Sequence, residues 1–313
     1  MSKHFTLPYE GGLIEKNLPK GILHNYEKIW TEIYPESRPA SYAVADLIVD
    51  AIHACPEGRL FRLGLSTGAT PTSLYNELAR RYKAGLLSFK NVEVVSIDEY
   101  YPSSKDELQS RNHRLHEALL DKVDILKENI HIPDGTVPQD QVSAYCTEFD
   151  KMARGLDLLV IGIGEQGQVG FNEPGTAEQS RTRTVLLSYL NRKRQAGNYF
   201  GHDLSITPKE AITMGLSTML SARRVILLAW GEGKAGVVRK VAEEEVSAEV
   251  PASFFQHHPN VKLYVDEIAA EGLTRFVAPW LIGPCDWTPK FRRKAVIWLC
   301  GKVGKPILKL TRQ

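Results

Sequence analysis

The chain reads as an α/β protein: a doubly wound, mostly parallel sheet with helices on both faces, followed by a C-terminal helical arm. Three observations predict this. Short apolar, β-branched runs alternate with helix-period stretches, and at this spacing that means βαβ units and a parallel sheet. Two runs, Asp157-Leu158-Leu159-Val160-Ile161 and Val225-Ile226-Leu227-Leu228-Ala229, are almost continuously apolar, as strands covered on both faces are. The clusters able to do chemistry stand directly after such runs, where open α/β sheets place their sites.

Taken in order, Leu63-Gly64-Leu65 leads into a turn, and Thr72 to Arg81 reads as a helix. Thr70 can cap that helix and Pro71 suits its first turn. Val92 to Ile97 is a strand, and Ser143 to Arg154 a helix with Tyr145, Phe149 and Met152 on one side. After the strand Asp157–Ile161, Pro208 to Ser221 reads as a helix, with Pro at its start and a stripe through Ile212, Leu216 and Leu220. The strand Val225–Ala229, a helix Gly233 to Glu244 and a late strand Val261–Val265 complete the pattern. These units belong to a domain expected over residues 1–272. The remainder, 273–313, holds three of the five Trp (Trp280, Trp287, Trp298) and a basic stretch from Lys290 to Lys294. It is expected to be an arm docked on the domain or a connector.

Composition narrows the classes. The 313 residues carry a net charge of +2, with 43% apolar and 24% charged side chains, which excludes a disordered chain, a collagen and a coiled coil. Near-neutral charge leaves no nucleic-acid footprint. Cys55, Cys146, Cys285 and Cys300 are too scattered for a zinc or redox motif, so no metal is expected. No apolar run approaches 18 residues and the N-terminus lacks a signal-peptide core, so a reduced cytoplasmic compartment and no membrane partner are expected. The composition leaves a homo-oligomer open.

Four segments follow the strands. Leu65-Ser66-Thr67-Gly68-Ala69-Thr70-Pro71 joins a strand to a helix N-terminus, and hydroxyls with free N–H groups there make either an anion site or a well-capped turn. Asp98-Glu99-Tyr100 sets two carboxylates at a strand end, as a general base or as a solvated turn. Gly162 to Gly175 contains GxGxxG, but Pro174-Gly175 cuts off the helix that a dinucleotide site needs. A turn bringing backbone and Glu173 to a small ligand fits better. Lys234, in Gly231-Glu232-Gly233-Lys234-Ala235, falls in the first turn of a helix, where a lysine opposes the dipole and suggests an anionic ligand. His257-His258 has no partners at metal spacing.

Together, Leu63–Pro71, Asp98–Tyr100, Gly162–Pro174, Ser180–Arg183 and Gly231–Ala235 resemble the glucosamine-6-phosphate deaminase (isomerase) family, over roughly residues 35 to 266. The resemblance implies aldose–ketose isomerisation of an amino-sugar phosphate with loss of ammonia, without a cofactor. It implies that Asp98 removes the C2 proton, that Glu173 assists ring opening, and that Ser66, Thr67, Gly68, Thr70 and Lys234 hold the phosphate. Two positions depart from the family. Its ring-opening Asp and His are Gln166 and Gln168 here, and an amide is neither acid nor base near pH 7. Its phosphate-binding Arg falls in Gly197–Phe200, at or beside Tyr199, with Arg192 and Arg194 as substitutes. The expectation is therefore a deaminase impaired in ring opening, or else a sugar-phosphate-binding homologue or regulator without turnover. Arg181 and Arg183 match a segment tied to effector binding in some members. Pro279 to Trp287 looks like the junction of long forms that carry a deacetylase-like domain.

Overall fold

The computed structural model describes residues 26–311. The strands are β1 (Trp30–Tyr34), β2 (Phe61–Leu65), β3 (Val92–Ser96), β4 (Asp98–Tyr101), β5 (Ile130–His131), β6 (Leu158–Gly162), β7 (Arg183–Leu186), β8 (Glu210–Thr213), β9 (Val225–Ala229) and β10 (Val261–Asp266). The helices are α1 (Ser37–His53), α2 (Thr72–Lys83), α3 (Arg111–Ala118), α4 (Val142–Ala153), α5 (Tyr189–Tyr199), α6 (Leu216–Met219), α7 (Ala235–Glu243), α8 (Glu267–Ala270), α9 (Thr274–Val277) and α10 (Pro289–Val303).

Seven strands form a parallel sheet in the order β1-β10-β9-β6-β2-β3-β5. Its strands are apolar on both sides because both sides are covered. Leu158 and Val160 pack with Val44 and Ile48 of α1 and Leu74 and Leu78 of α2, whereas Leu159 and Ile161 pack with Val237, Val238 and Val241 of α7. The chain winds outward from β2 through β3 to β5. It then returns to β6 on the other side of β2 and winds the opposite way through β9 and β10. The reversal falls between β2 and β6, and a crevice opens at the carboxyl ends of such a pair.

Beside this sheet lies a small antiparallel one, β4-β8-β7. It corrects two readings of the sequence. Pro208–Ser221 is not a single helix: Glu210–Thr213 is a strand and only Leu216–Met219 is helical. Ala211 and Ile212 are fully buried, and β8 pairs with both β4 and β7, so tertiary pairing overrides the 3.6-residue stripe. Asp98-Glu99 is likewise not a solvated turn but the start of β4, with both residues buried. Two helix starts also shift. Pro71, not Thr70, occupies the N-cap of α2, and Thr72 Oγ1 donates back to Gly68 O at 3.1 Å. Glu232–Lys234 forms a 3-10 turn, which leaves Lys234 at the N-cap of α7. No helix among the described residues is long and apolar enough to cross a membrane. The N-terminal residues read for a signal peptide lie outside the described residues.

Candidate active site

The crevice between β2 and β6 is a cleft of about 140 Å³. Ser66, Thr67, Gly68 and Thr70 line it from the loop after β2, Asp98 from β4, Gln168 from the turn after β6, and Lys234 from the loop after β9. Four segments spread over some 170 residues thus meet at one sheet edge, as the parallel topology requires.

At one wall the loop after β2 is held from two directions. Trp230 Nε1 donates to Thr70 O at 2.8 Å, and the Tyr75 hydroxyl donates to Ser66 O. Ser66 Oγ accepts from Gly162 N at 3.2 Å, which ties the two strand ends together. Thr67 Oγ1 is buried without a hydrogen-bond partner. Lys234 Nζ donates to Ile163 O at 2.8 Å. Burial lowers the Lys234 pKa below the ordinary lysine value, Arg194 adds to the lowering, and Glu165 opposes it. Arg194 also lines the cleft and pairs with Glu165 at 2.6 Å. Hydroxyls, two cations and the N-terminus of α2 converge here, an arrangement suited to an anion.

Deeper in the cleft, Asp98 is 4% exposed. Its pKa is raised by burial, and the Arg111 guanidinium opposes the rise. Asp98 Oδ1 has no hydrogen-bond partner. Gly170 has φ +56°, and a Cβ there would stand 3.0 Å from Thr213 Oγ1 and 3.3 Å from Asp98 Oδ2, so the turn after β6 can approach the carboxylate only as glycine. A buried carboxylate with a free oxygen and a raised pKa, facing the cleft, is equipped to take a proton.

The neighbouring carboxylate does different work. Glu99 accepts from the main-chain N–H of Tyr100, Arg111 and Asn112 at 2.7, 2.8 and 2.7 Å, binding the first turn of α3. Burial pushes its pKa up to about 7 even against those three donors.

Gln168 lies in the cleft wall, and its Oε1 accepts from Gln166 N at 2.9 Å. Its amide folds over Gly164, where a Cβ would come within 2.1 Å of Gln168 Cδ. The Gln166 side chain is outside the cleft lining. So is Glu173, which accepts from Asn191 Nδ2 at 2.6 Å and from Ser188 N at 3.2 Å in an adjoining groove. Asn191 itself lines the cleft, so Glu173 stands one hydrogen bond behind it. Arg192 is turned to Leu204 O and Thr207 O, and Arg183 to Asn172 Oδ1 and Arg181 O, away from the cleft. His258 is a buried structural residue bonded to Ala222 O, and His257 pairs with Glu178.

Sequence reasoning missed Arg111 of α3 and Asn191 and Gln195 of α5, all of which line the cleft, whereas Asn198 and Tyr199 of the stretch it marked also line it. One signal was present: an arginine just after the capping Ser110 opposes the helix dipole, the same local misfit that pointed to Lys234. For α5 there was no comparable signal, because its weakly amphipathic, polar sequence does not stand out as a helix.

The chain is similar in sequence and fold to several known proteins. A glucosamine-6-phosphate deaminase-like protein of Bacteroides thetaiotaomicron is 41% identical over 303 residues, which is 96% of this chain. The chain spans only 45% of that relative's length. Glucosamine-6-phosphate deaminase 2 of Bacillus subtilis is 40% identical over 215 residues, covering 67% of this chain and 85% of the relative. Among solved structures, a monomeric glucosamine-6-phosphate deaminase superposes with a TM-score of 0.74 at 32% identity, covering 78% of this chain and all 100% of the other. The 6-phosphogluconolactonase of Leishmania guyanensis shares the fold, with a TM-score of 0.62 at 23% identity over 78% of this chain and 98% of the other. The family described as glucosamine-6-phosphate isomerases/6-phosphogluconolactonase matches residues 35–264, the stretch that contains both strand ends, the buried aspartate and the lysine of the cleft. With fold and sequence in agreement over that stretch, the chain belongs to the glucosamine-6-phosphate isomerase/6-phosphogluconolactonase family.

Proposed function

We propose that the chain converts glucosamine 6-phosphate to fructose 6-phosphate and ammonia, with cyclic substrate turned over slowly. The observation that carries this is the buried, unpartnered Asp98 carboxylate sharing one cleft with an anion cradle of Ser66–Thr70 and Lys234. In this reading the cradle holds the phosphate and orients the opened sugar. Asp98 then removes the C2 proton, for which its burial-raised pKa suits it. Gln168 hydrogen-bonds a sugar hydroxyl but moves no proton, so ring opening is left to the slower spontaneous process. Glu173, held by Asn191 and Ser188 N, acts by positioning Asn191 rather than by touching the sugar.

A second reading, a sugar-phosphate-binding homologue without turnover, is favoured by the same pair of amides, Gln166 and Gln168. One experiment separates the two: exchange of the C2 hydrogen of glucosamine 6-phosphate in heavy water, measured beside ammonia release. The wild type is expected to exchange. Asp98→Asn is expected to abolish exchange while millimolar sugar phosphate still raises the melting temperature. Exchange that survives the substitution would exclude Asp98 as the base. A wild type that is stabilised by the ligand and shows no exchange would establish the binding protein instead.

A further inference from the structure

Two buried polar atoms in the cleft lie close together with no hydrogen-bond partner on either: Asp98 Oδ1 and Arg111 Nε. They are 4.0 Å apart, beyond hydrogen-bond range, and each side chain is only 6% exposed. A buried charge left unsatisfied is costly, so such a gap calls for a reason.

The gap is built into the site. The Arg111 guanidinium lies 4.8 Å from the centre of the Tyr100 ring, 5.0 Å from that of Phe171 and 5.7 Å from that of Tyr199. Its Nη2 donates to Gln195 Oε1 at 3.2 Å. Its main-chain N–H is held by Glu99, which fixes the helix that carries it. Aromatic faces, an amide oxygen and a carboxylate anchor thus hold Nε 4.0 Å from Asp98 Oδ1 without letting it close on the carboxylate.

We propose that Arg111 Nε is the contact for the C1 oxygen of the open-chain sugar, set beside the C2 hydrogen that Asp98 removes. The catalytic consequence rests on the deaminase reading above. The Asp98 carboxylate takes the C2 proton and the C2–H bond breaks. Its electron pair forms the C1–C2 double bond, and the carbonyl π pair moves onto the C1 oxygen. Nothing is oxidised or reduced, and the new negative charge lies against Arg111. A guanidinium stays charged and keeps its protons, so it stabilises this oxygen without a proton transfer. Removing one preorganised donor of this kind lowers turnover about 10²–10³-fold.

The test uses two open-chain ligands that differ by one oxygen: 2-amino-2-deoxyglucitol 6-phosphate and its counterpart without the C1 hydroxyl. The wild type is expected to bind the first about tenfold more tightly, as one hydrogen bond to a charged group allows. Arg111→Lys keeps the charge, loses the planar Nε–H, and is expected to lose the preference while both compounds still bind. A wild type without preference, or an unchanged preference in the variant, overturns the proposal. If Arg111→Lys does not fold, Arg111→Gln carries the same comparison. C2 exchange is measured in parallel, with kcat expected to fall about 10²-fold and KM to change little. Absence of exchange in the wild type defeats the deaminase reading, whereas the ligand pair still decides the Arg111 contact.

Discussion

At the scale of single residues, the two carboxylates of Asp98-Glu99 divide their labour by what surrounds them. Asp98 meets a cleft and keeps a free oxygen, while Glu99 meets three main-chain N–H groups and becomes an anchor. The division was hidden while the segment could be a turn, and it follows once Asp98-Glu99 is a strand, which turns successive side chains to opposite faces. Gln168 presents the complementary case. Its position in the cleft wall was legible from the glycine-rich turn, and its chemistry follows from its residue type. Replacing Gln166 by Asp and Gln168 by His supplies an imidazole in the wall with a carboxylate nearby to set its tautomer. The double variant is expected to release ammonia from cyclic glucosamine 6-phosphate about 10²-fold faster than the wild type. Gln168→His alone is expected to gain less, and phosphate affinity to stay unchanged. A wild type that already turns over at about 10 s⁻¹ would show that another group opens the ring.

At the scale of elements, β4 and α3 form a unit joined through Glu99. Its carboxyl titrates near 7 in the folded protein and at an ordinary value near 4.5 when unfolded. Between those values the folded chain holds a proton that the unfolded chain has released, so the share of stability due to Glu99 falls as pH rises through this window. It is fully present below about 4.5 and lost above about 7. Glu99→Gln is expected to flatten this part of the profile in denaturant unfolding at pH 4.5, 6 and 7.5, and an unchanged slope would show that another group takes up the proton. The same substitution sets an amide NH₂ against one of the α3 donors. The Arg111 contact is therefore expected to loosen, and kcat to fall even where the protein remains folded. The small sheet also explains why β8 resists sequence reading. Its partners β4 and β7 lie far along the chain, and no local pattern contains them.

At the scale of the whole molecule, we propose that the arm loosens independently of the site. The cleft is lined from the loops after β2, β6 and β9, from β4, and from α3 and α5, and among the described residues nothing beyond Lys234 contributes to it. The arm has its own aromatic cluster. Phe291 is fully buried and packs edge-on to Trp280 at 5.5 Å, and Trp298 packs on Trp280 at 5.6 Å. It is moored to the domain by the Arg275 Nε bond to Glu27 at 2.6 Å and by Phe276, which joins the main core cluster, while Lys294 Nζ donates to Phe276 O at 2.7 Å within the arm. Phe291→Ala is expected to remove about 3–5 kcal/mol of packing, or as much of it as the arm's own stability allows. Tryptophan fluorescence should then report the arm loosening below the main melt, with the ligand-induced shift of that melt unchanged. A lost ligand shift would tie the arm to the site and argue against a boundary near residue 272.

By itself the sequence determined the layered α/β fold and which segments meet at one sheet edge. Runs such as Val225–Ala229 can be stable only with cover on both faces, and a parallel sheet then puts Ser66–Thr70, Asp98, Gln168 and Lys234 at one edge. That inference needs only local periodicity and the handedness of βαβ connections. Only the tertiary structure decided which side chains enter the cleft. Arg111 and Asn191 come in and the Glu173 carboxylate stays one bond outside, because that choice depends on how α3 and α5 pack over the small sheet. Packing of that kind is a sum of contacts between residues distant in sequence, and it leaves no period in the chain to read.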